Sequence, residues 1–397
     1  MNIGILREEK VPVDKRVPFS PSQCKQIITE FPELKIFVQS SDIRCFSDED
    51  YLKHGIPIVD SLESCDVLFG IKEVPKDKLI ANKTYLFFSH TIKKQEYNRE
   101  LLKKMIELNI RMIDYEVLKY NDGSRILGFG RYAGIIGAYN GLLTYGLKHG
   151  LYTLKPANKC LDRNEMNNYL NDVKLSNEKL LITGKGRVGS GILETIKKLN
   201  IEEVNIDDYL NKRFDQPVYL NIDVMDYNAR IDGKDSTFSD FINDSSLYKS
   251  TFMKYAAKTD LYFAGHFYAT GAPYLFTRKD VKSPDFKISV VADVSCDIDG
   301  PVATTIKPST IDNPIYGYNR NTEKEDDFMS NDIIAVMAVD NLPCELPKDS
   351  SEDFGEHLIK HIIPIINYDN KIIEGATICE NGDLTKNYEY LRDYVNY

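Results

Sequence analysis

Arg16, Lys72, Glu73, His90, Glu116 and Arg125 are residues of the first third of the chain whose side chains could move protons or grip carboxylates. A histidine exchanges protons near neutral pH unaided, and a lysine does so when its pKa is depressed. A guanidinium fork pairs with a carboxylate through two parallel hydrogen bonds. A lysine, a histidine and two arginines gathered in one cleft therefore suit a substrate that carries carboxylates and needs proton transfer. Taken singly, such residues are more often solvated charges or structural histidines, so the inference rests on their joint placement.

That placement depends on short apolar runs. Residues 2–6 and 34–38 read as strands around a helix starting at Ser20-Pro21, the serine as its cap and the proline in its first turn. Residues 66–71, 84–88 and 111–113 read as three further strands, separated by turn signals and by a helix over 95–108. Lys72 and Glu73 follow the first of these, His90 the second and Glu116 the third. Arg16 lies in the first loop, and Arg125 and Phe129 come just before a glycine-rich helical run over 133–151. Strands alternating with helices predict a parallel sheet, and such sheets bind ligands at the carboxyl ends of their strands.

A second site lies mid-chain, where the apolar run 180–183 leads into Gly184-x-Gly186-x-x-Gly189 and then a helical run over 192–199. After a buried strand, Gly184 permits the tight turn, Gly186 lets a diphosphate approach the backbone, and Gly189 lets the new helix pack closely on the sheet. Arg187 and Val188 stand between the last two glycines, at the anion-binding end of that helix. A strand over 203–206 is expected to end in Asp207 and Asp208, about 20 residues past the last glycine, where a carboxylate accepts hydrogen bonds from an adenosine ribose. A carboxylate there repels a 2′-phosphate, so the pattern predicts NAD(H) rather than NADP(H).

Further strands are expected at 219–222, 261–264 and 287–294, with an exposed polar connection over 158–177. Residues 331–340, apolar at 333, 334, 336, 337 and 339, read as a buried helix carrying the chain back to the first domain. At 397 residues, 42% hydrophobic and 28% charged, the composition is that of a two-domain globular protein. A formal charge of −10 argues against a nucleic-acid partner, and no apolar run approaches the length of a membrane span. The opening MNIGILREEK has no signal-peptide pattern, which predicts a cytoplasmic location. Seven widely spaced cysteines without a C-x-x-C pair predict reduced thiols, and the acidic and histidine residues lack metal-ligand spacing, so no metal is expected.

Several segments occur in an order that closely resembles the lysine-forming saccharopine dehydrogenases and the related lysine-ketoglutarate reductases. These are Gly70-Ile-Lys-Glu-Val-Pro75, Phe87-Phe-Ser-His-Thr-Ile-Lys93, Ile113-Asp-Tyr-Glu116 and Arg125-Ile-Leu-Gly-Phe-Gly-Arg-Tyr-Ala-Gly134, then Ala292-Asp-Val-Ser-Cys-Asp297 and Val339-Asp-Asn-Leu-Pro343. The resemblance spans most of the chain. The opening Glu-Glu-Lys and Lys-Arg-Val, with the two-domain plan, are more distantly similar to alanine dehydrogenase and the transhydrogenase nucleotide-binding subunit. The resemblance implies interconversion of saccharopine with lysine plus 2-oxoglutarate, using a nicotinamide cofactor. By motif it implies Lys72 and His90 as acid–base residues, tuned by Glu73 and Glu116, and Arg16, Arg125 and Lys93 as substrate-binding residues. Phe129 and Asp340 match positions beside the nicotinamide, and the glycine turn with Asp207 matches the phosphate and ribose sites.

Two features depart from or divide that pattern. Val188 stands where some relatives have a cysteine, so the disulfide found in them is impossible here. His266, in Phe263-Ala-Gly-His-Phe-Tyr268, has no firm counterpart and is read either as a cofactor contact or as a structural histidine. The stretch 375–390 resembles the reductase branch, whereas Asp207 points to the cofactor of the dehydrogenase branch, which leaves the physiological direction open. The expectation is an α/β protein of two Rossmann-like domains, with parallel sheets flanked by helices and an active-site cleft between the domains. Residues 1–135 with 330–397 are expected to bind substrate and 136–329 to bind NAD, in a monomer or homo-oligomer. Two competitors are another amino-acid dehydrogenase or imine reductase of the alanine dehydrogenase type, and an inactive NAD-binding sensor.

Overall fold

The structure, a computed structural model, describes residues 1–269, 271–367 and 370–396. The chain divides into two compact units, Met1–Phe129 with Pro347–Tyr397, and Gly130–Leu346. The first unit is therefore discontinuous, and the divisions fall at 129/130 and 346/347 rather than at the expected 135/136 and 329/330.

In the first unit the chain builds β1 (Asn2–Ile5), β2 (Lys35–Gln39), β3 (Ile58–Val59), β4 (Val67–Phe69), β5 (Thr84–Phe87) and β6 (Arg111–Asp114). They run parallel, in the spatial order β6-β5-β4-β1-β2-β3. β4 is buried along its whole length, and β5 along all but its first residue. This is why both read as continuous apolar runs rather than as alternating ones. Helix Pro21–Glu30 starts as its sequence predicts: Ser20 accepts from the Gln23 N–H, and the Ser20 N–H donates back to the Gln23 side chain. Helix Arg99–Glu107 turns Leu101, Leu102 and Met105 into the core, each burial contributing about 1.5–3 kcal/mol.

The second unit contains β7 (Lys179–Thr183), β8 (Glu202–Glu203), β9 (Val218–Ile222), β10 (Asn228–Arg230), β11 (Tyr248–Ser250), β12 (Leu261–Ala264), β13 (Val290–Asp293), β14 (Ile315–Asn319), β15 (Lys324–Asp326) and β16 (Ile333–Met337). Its main sheet has the order β15-β14-β16-β13-β12-β7-β9-β8, and β10 and β11 form a separate antiparallel ribbon. From β8 to β16 neighbouring strands pair in parallel; β14 runs against them beside β16, and β15, antiparallel to β14, restores their direction at the edge.

The expected helix over 331–340 is not there. Ile333–Met337 is a fully buried strand, paired with β13 on one side and β14 on the other. Its apolar spacing fits a helix face and a doubly covered strand equally, and the short, β-branched run with strand partners on both sides decides for the strand. The antiparallel pairing of β14 with β16 keeps 315–337 in the second unit, so the chain returns only at Pro347. The polar connection over 158–177 also holds a helix, Arg163–Tyr169, capped by Asp162.

Helix Gly130–His149 belongs wholly to the second unit and crosses helix Arg187–Ile196 at very close range. A Cβ on Gly134 would lie 2.0 Å from the Val188 carbonyl oxygen, and one on Gly191 would lie 2.0 Å from that of Arg131. Of the glycines that marked this run in the sequence, Gly134 lies at the crossing, while Gly137, Gly141 and Gly146 pack against Val294, Phe263 and Tyr152. After helix Pro347–His361, β17 (Thr377–Glu380) and β18 (Asp383–Leu384) extend the first unit's sheet antiparallel beyond β6. Among the described residues, no helix is long and apolar enough to cross a membrane.

Candidate active site

Adjacent strands of the first sheet, β6, β5, β4 and β1, deliver Glu116, His90, Lys72 with Glu73, and Arg16 in turn from their carboxyl-end loops. Parallel pairing aligns those ends, so residues spread over a hundred positions of sequence become lateral neighbours.

Glu73 is the hub of one cluster. Its Oε1 lies 2.6 Å from His90 Nδ1, and its Oε2 accepts from Lys10 Nζ at 2.5 Å. Burial pushes the Glu73 carboxyl up, but the hydrogen bonds from His90 and Lys10 outweigh it and hold the group down at about 2. His90 itself sits in the left-handed region at φ 54°, its ring stacked on Phe88.

Lys72 is half-buried, and its pKa is lowered, first by burial and then by the Arg16 charge. Its backbone is fixed by Glu8, a buried residue whose Oε1 accepts from the Ile71 N–H at 2.6 Å and whose Oε2 accepts from the Lys72 N–H at 3.0 Å. Arg16 is 2% exposed; its Nε and Nη2 donate to Asp14 at 3.0 and 2.6 Å, and its guanidinium lies 4.0 Å from the centre of the Phe129 ring. Burial raises the Asp14 carboxyl, but the charge and hydrogen bonds of Arg16 override this and hold it at about 2. Phe129 stacks in turn on Phe354 with ring centres 4.6 Å apart.

A second cluster forms around Glu116, whose Oε1 lies 3.2 Å from Lys93 Nζ and 3.1 Å from Arg125 Nη2. Its Oε2 is buried without a hydrogen bond. Asp114, at the end of β6, accepts from the Glu116 N–H and the Ser89 N–H, tying the β6 loop to the β5 loop that carries His90. The sequence reading found the residues at the strand ends but missed Glu8, Lys10, Asp14 and Asp114, which hold them. Glu8 and Lys10 stood in the quoted Glu-Glu-Lys opening, but only the fold shows what they touch.

In the second unit the glycine turn joins β7 to helix Arg187–Ile196. Gly184 has φ +96°, and a Cβ there would lie 2.3 Å from the Gly265 carbonyl oxygen. A Cβ on Gly189 would lie 2.0 Å from the Gly184 oxygen, whereas one on Gly186 would meet nothing within 4 Å. Two glycines thus close the turn, and the third leaves open space at the helix N-terminus, where Arg187 is exposed and Val188 half-buried. That open, N–H-lined position suits a dinucleotide's diphosphate. Asn221 on neighbouring β9 braces the turn by donating to the Gly184 oxygen at 3.0 Å.

The assignment of Asp207 and Asp208 to a strand end is corrected. β8 ends at Glu203, and both aspartates stand in the first turn of helix Ile206–Asn211. There Asp207 accepts from Asn211, and Asp208 pairs with Lys212. β8 is the edge strand, and β9 is the neighbour of β7; Ile222 pairs with Thr183, so the carboxylate that follows the neighbouring strand is Asp223. Counting residues from the glycines failed because the edge strand and a short helix are inserted before β9.

Asp340 is exposed beyond the carboxyl end of β16. His266 follows β12 and is 6% exposed, with Nδ1 3.2 Å from Thr183 Oγ1 and Nε2 buried without a hydrogen bond. Burial lowers its pKa to about 4, which keeps the ring neutral near neutral pH.

The alanine dehydrogenase/PNT N-terminal domain matches residues 4–136, and the alanine dehydrogenase/PNT C-terminal domain matches residues 165–387. The chain is 26% identical to the mitochondrial alpha-aminoadipic semialdehyde synthase of Mus musculus over 98% of its own length and 47% of that protein's. It thus spans about half the length of that relative. It is 27% identical to the saccharopine dehydrogenase (NAD(+), L-lysine-forming) of Candida glabrata, over 91% of this chain and 93% of that one. Its fold is similar to that of an L-alanine dehydrogenase, with a TM-score of 0.64 at 16% identity over 99% of this chain and 100% of the other. A transhydrogenase from Sinorhizobium meliloti gives 0.58 at 12% identity, over 97% and 99%. With both domain models matched in order along its length, the chain belongs to the alanine dehydrogenase/PNT family of oxidoreductases.

Proposed function

We propose that the chain interconverts saccharopine with L-lysine plus 2-oxoglutarate, using NAD(H). The observation that carries the reading is the ordered set Arg16, Lys72 with Glu73, and His90 on neighbouring strand ends, in a chain similar to saccharopine dehydrogenase over nearly its whole length. When bound, the nicotinamide supplies or accepts the hydride.

The residues supply the proton traffic and the grip. Because Glu73 is held ionised, it takes the N–H of His90 Nδ1 as a hydrogen-bond donor, which leaves Nε2 as the ring nitrogen for proton exchange. That atom can take a proton from the lysine ε-ammonium, freeing the amine to attack the keto carbon of 2-oxoglutarate. Expulsion of the carbinol hydroxyl as water needs a proton returned to it, and Lys72, with its lowered pKa, is suited to exchange one there. Arg125 with Lys93 suits a substrate carboxylate, whereas the Arg16 fork is engaged by Asp14 and contributes its charge beside Lys72. The second unit contributes the diphosphate cradle at Gly186, and Asp223 stands where the family of folds receives the adenosine ribose. We place the enzyme in the cytoplasm.

A panel of lysine, ornithine and ammonia against 2-oxoglutarate and pyruvate, read as NADH oxidation, tests the reading. Saccharopine with NAD tests the reverse direction. Turnover confined to lysine with 2-oxoglutarate, and to saccharopine in reverse, supports it; turnover with ammonia and pyruvate alone replaces it with an alanine dehydrogenase activity.

A further inference from the structure

The second unit holds a cavity of about 310 Å³ whose walls contain none of the residues assigned above. Helix Gly130–His149 lines it with Leu143 and Leu147, the start of β14 with Ile315, and Phe328 adds an aromatic wall. Two polar side chains on that wall are themselves buried, Glu345 at 4% exposed and Asn140 at 3%.

Asn140 Nδ2 donates to Glu345 Oε1 at 2.7 Å, and the Asn158 backbone N–H donates to the same carboxyl. Both donors are neutral. Burial pushes Glu345 up to about 8, so these two hydrogen bonds do not offset the water the charged form has lost. Among the described residues, no cation makes an ion pair with it. Asn158 Oδ1, also on the wall, is buried and accepts no hydrogen bond. At the cavity's edge, Lys159 and Asp312 are both exposed and of opposite sign. The interior therefore presents two acceptors beside an aliphatic and aromatic surface and lacks the positive charge that would complement them.

We propose that this cavity binds a small aliphatic primary amine, its ammonium group on Glu345 and Asn158 Oδ1 and its chain against Leu143, Leu147, Ile315 and Phe328. A primary ammonium brings three N–H donors and a full charge, which Asn140 cannot supply. A cavity of this size, mostly apolar with a few convergent polar groups, is ordinary for small-ligand sites. The site is independent of the proposed reaction, because it shares no residue with it.

Calorimetric titration of the full chain with n-pentylamine and with 1-pentanol tests the proposal, since the two probes share a chain and differ in charge. Saturable binding of one amine per chain is expected, with the alcohol weaker by about tenfold or more. Glu345→Gln should abolish the preference for the amine, and Leu147→Phe, which fills the apolar end and keeps the carboxylate, should weaken both probes. Equal affinity for amine and alcohol overturns the proposal, as does amine binding that survives Glu345→Gln, or the absence of saturable amine binding to folded protein. If Glu345→Gln does not fold, Leu147→Phe decides: unchanged amine affinity overturns the site.

Discussion

Glu73 grips His90 by one nitrogen: its Oε1 lies 2.6 Å from His90 Nδ1, while its Oε2 is held 2.5 Å from Lys10 Nζ. A carboxylate anchored at both oxygens cannot swing, so it fixes the imidazole's orientation as well as its tautomer. The consequence is that Nε2 is the ring nitrogen left for proton exchange, on a ring stacked with Phe88. Lys10 lies too early in the chain for its spacing to reveal it as part of this arrangement.

If His90 handles protons, His90→Gln lowers kcat by about 10²- to 10⁴-fold while the Kd for NADH stays within about twofold. Stopped-flow turnover and fluorescence titration of NADH measure the two quantities on one preparation. A parallel loss of NADH affinity assigns His90 a structural role.

The strand ends were legible because chemistry-bearing residues directly follow continuous apolar runs, and a parallel sheet brings such ends together. The glycine turn was legible because Gly184 and Gly189 answer steric demands that the structure displays, and Gly186 leaves open space at the helix N-terminus. Two things were not. Ile333–Met337 has the same apolar spacing in a helix as in a buried strand, and its antiparallel neighbour β14 is a tertiary fact. The place of Asp223 after the strand beside β7 was not legible because strand order, unlike strand content, does not follow sequence order: β9 lies beside β7 although β8 comes before it.

The strand order leads to a test of cofactor choice. Asp223→Ala should relax the preference for NAD(H) over NADP(H) by about tenfold or more, because the 2′-phosphate no longer meets a carboxylate. Asp207→Ala should leave the ratio unchanged, since its carboxylate is spent on Asn211 within its own helix. Ratios of kcat/KM with the two cofactors check both, and a shift for Asp207 alone returns the ribose site to the Ile206–Asn211 helix.

The glycines separate binding from folding. Gly186→Ala adds a methyl group to open space at φ −80°, so the melting temperature should hold while NADH affinity falls. Gly189→Ala drives the same methyl group to 2.0 Å from the Gly184 oxygen and should destabilise the fold by about 1–3 kcal/mol or more. Differential scanning fluorimetry with and without NADH reads both. Equal destabilisation by the two substitutions contradicts the assignment of Gly186 as the cradle.

Two buried acids set a pH dependence of stability. Burial raises Glu8 and Glu345 from an ordinary 4.5 to about 8 each. Between those values the folded chain keeps a proton that the unfolded chain has released, so the stability from each group is complete below pH 4.5 and is lost as pH rises through 8. Glu73 and Asp14, both held near 2, act in the opposite sense, but only in acid below this window. Glu345→Gln removes one of the two contributions. The stability difference between the variant and the native chain should therefore move in the variant's favour by up to about 1.4 kcal/mol per pH unit across the window. Urea denaturation at pH 5, 6.5 and 8 measures it, and parallel pH profiles for the two proteins would show that the Glu345 carboxyl titrates alike in the folded and unfolded chains.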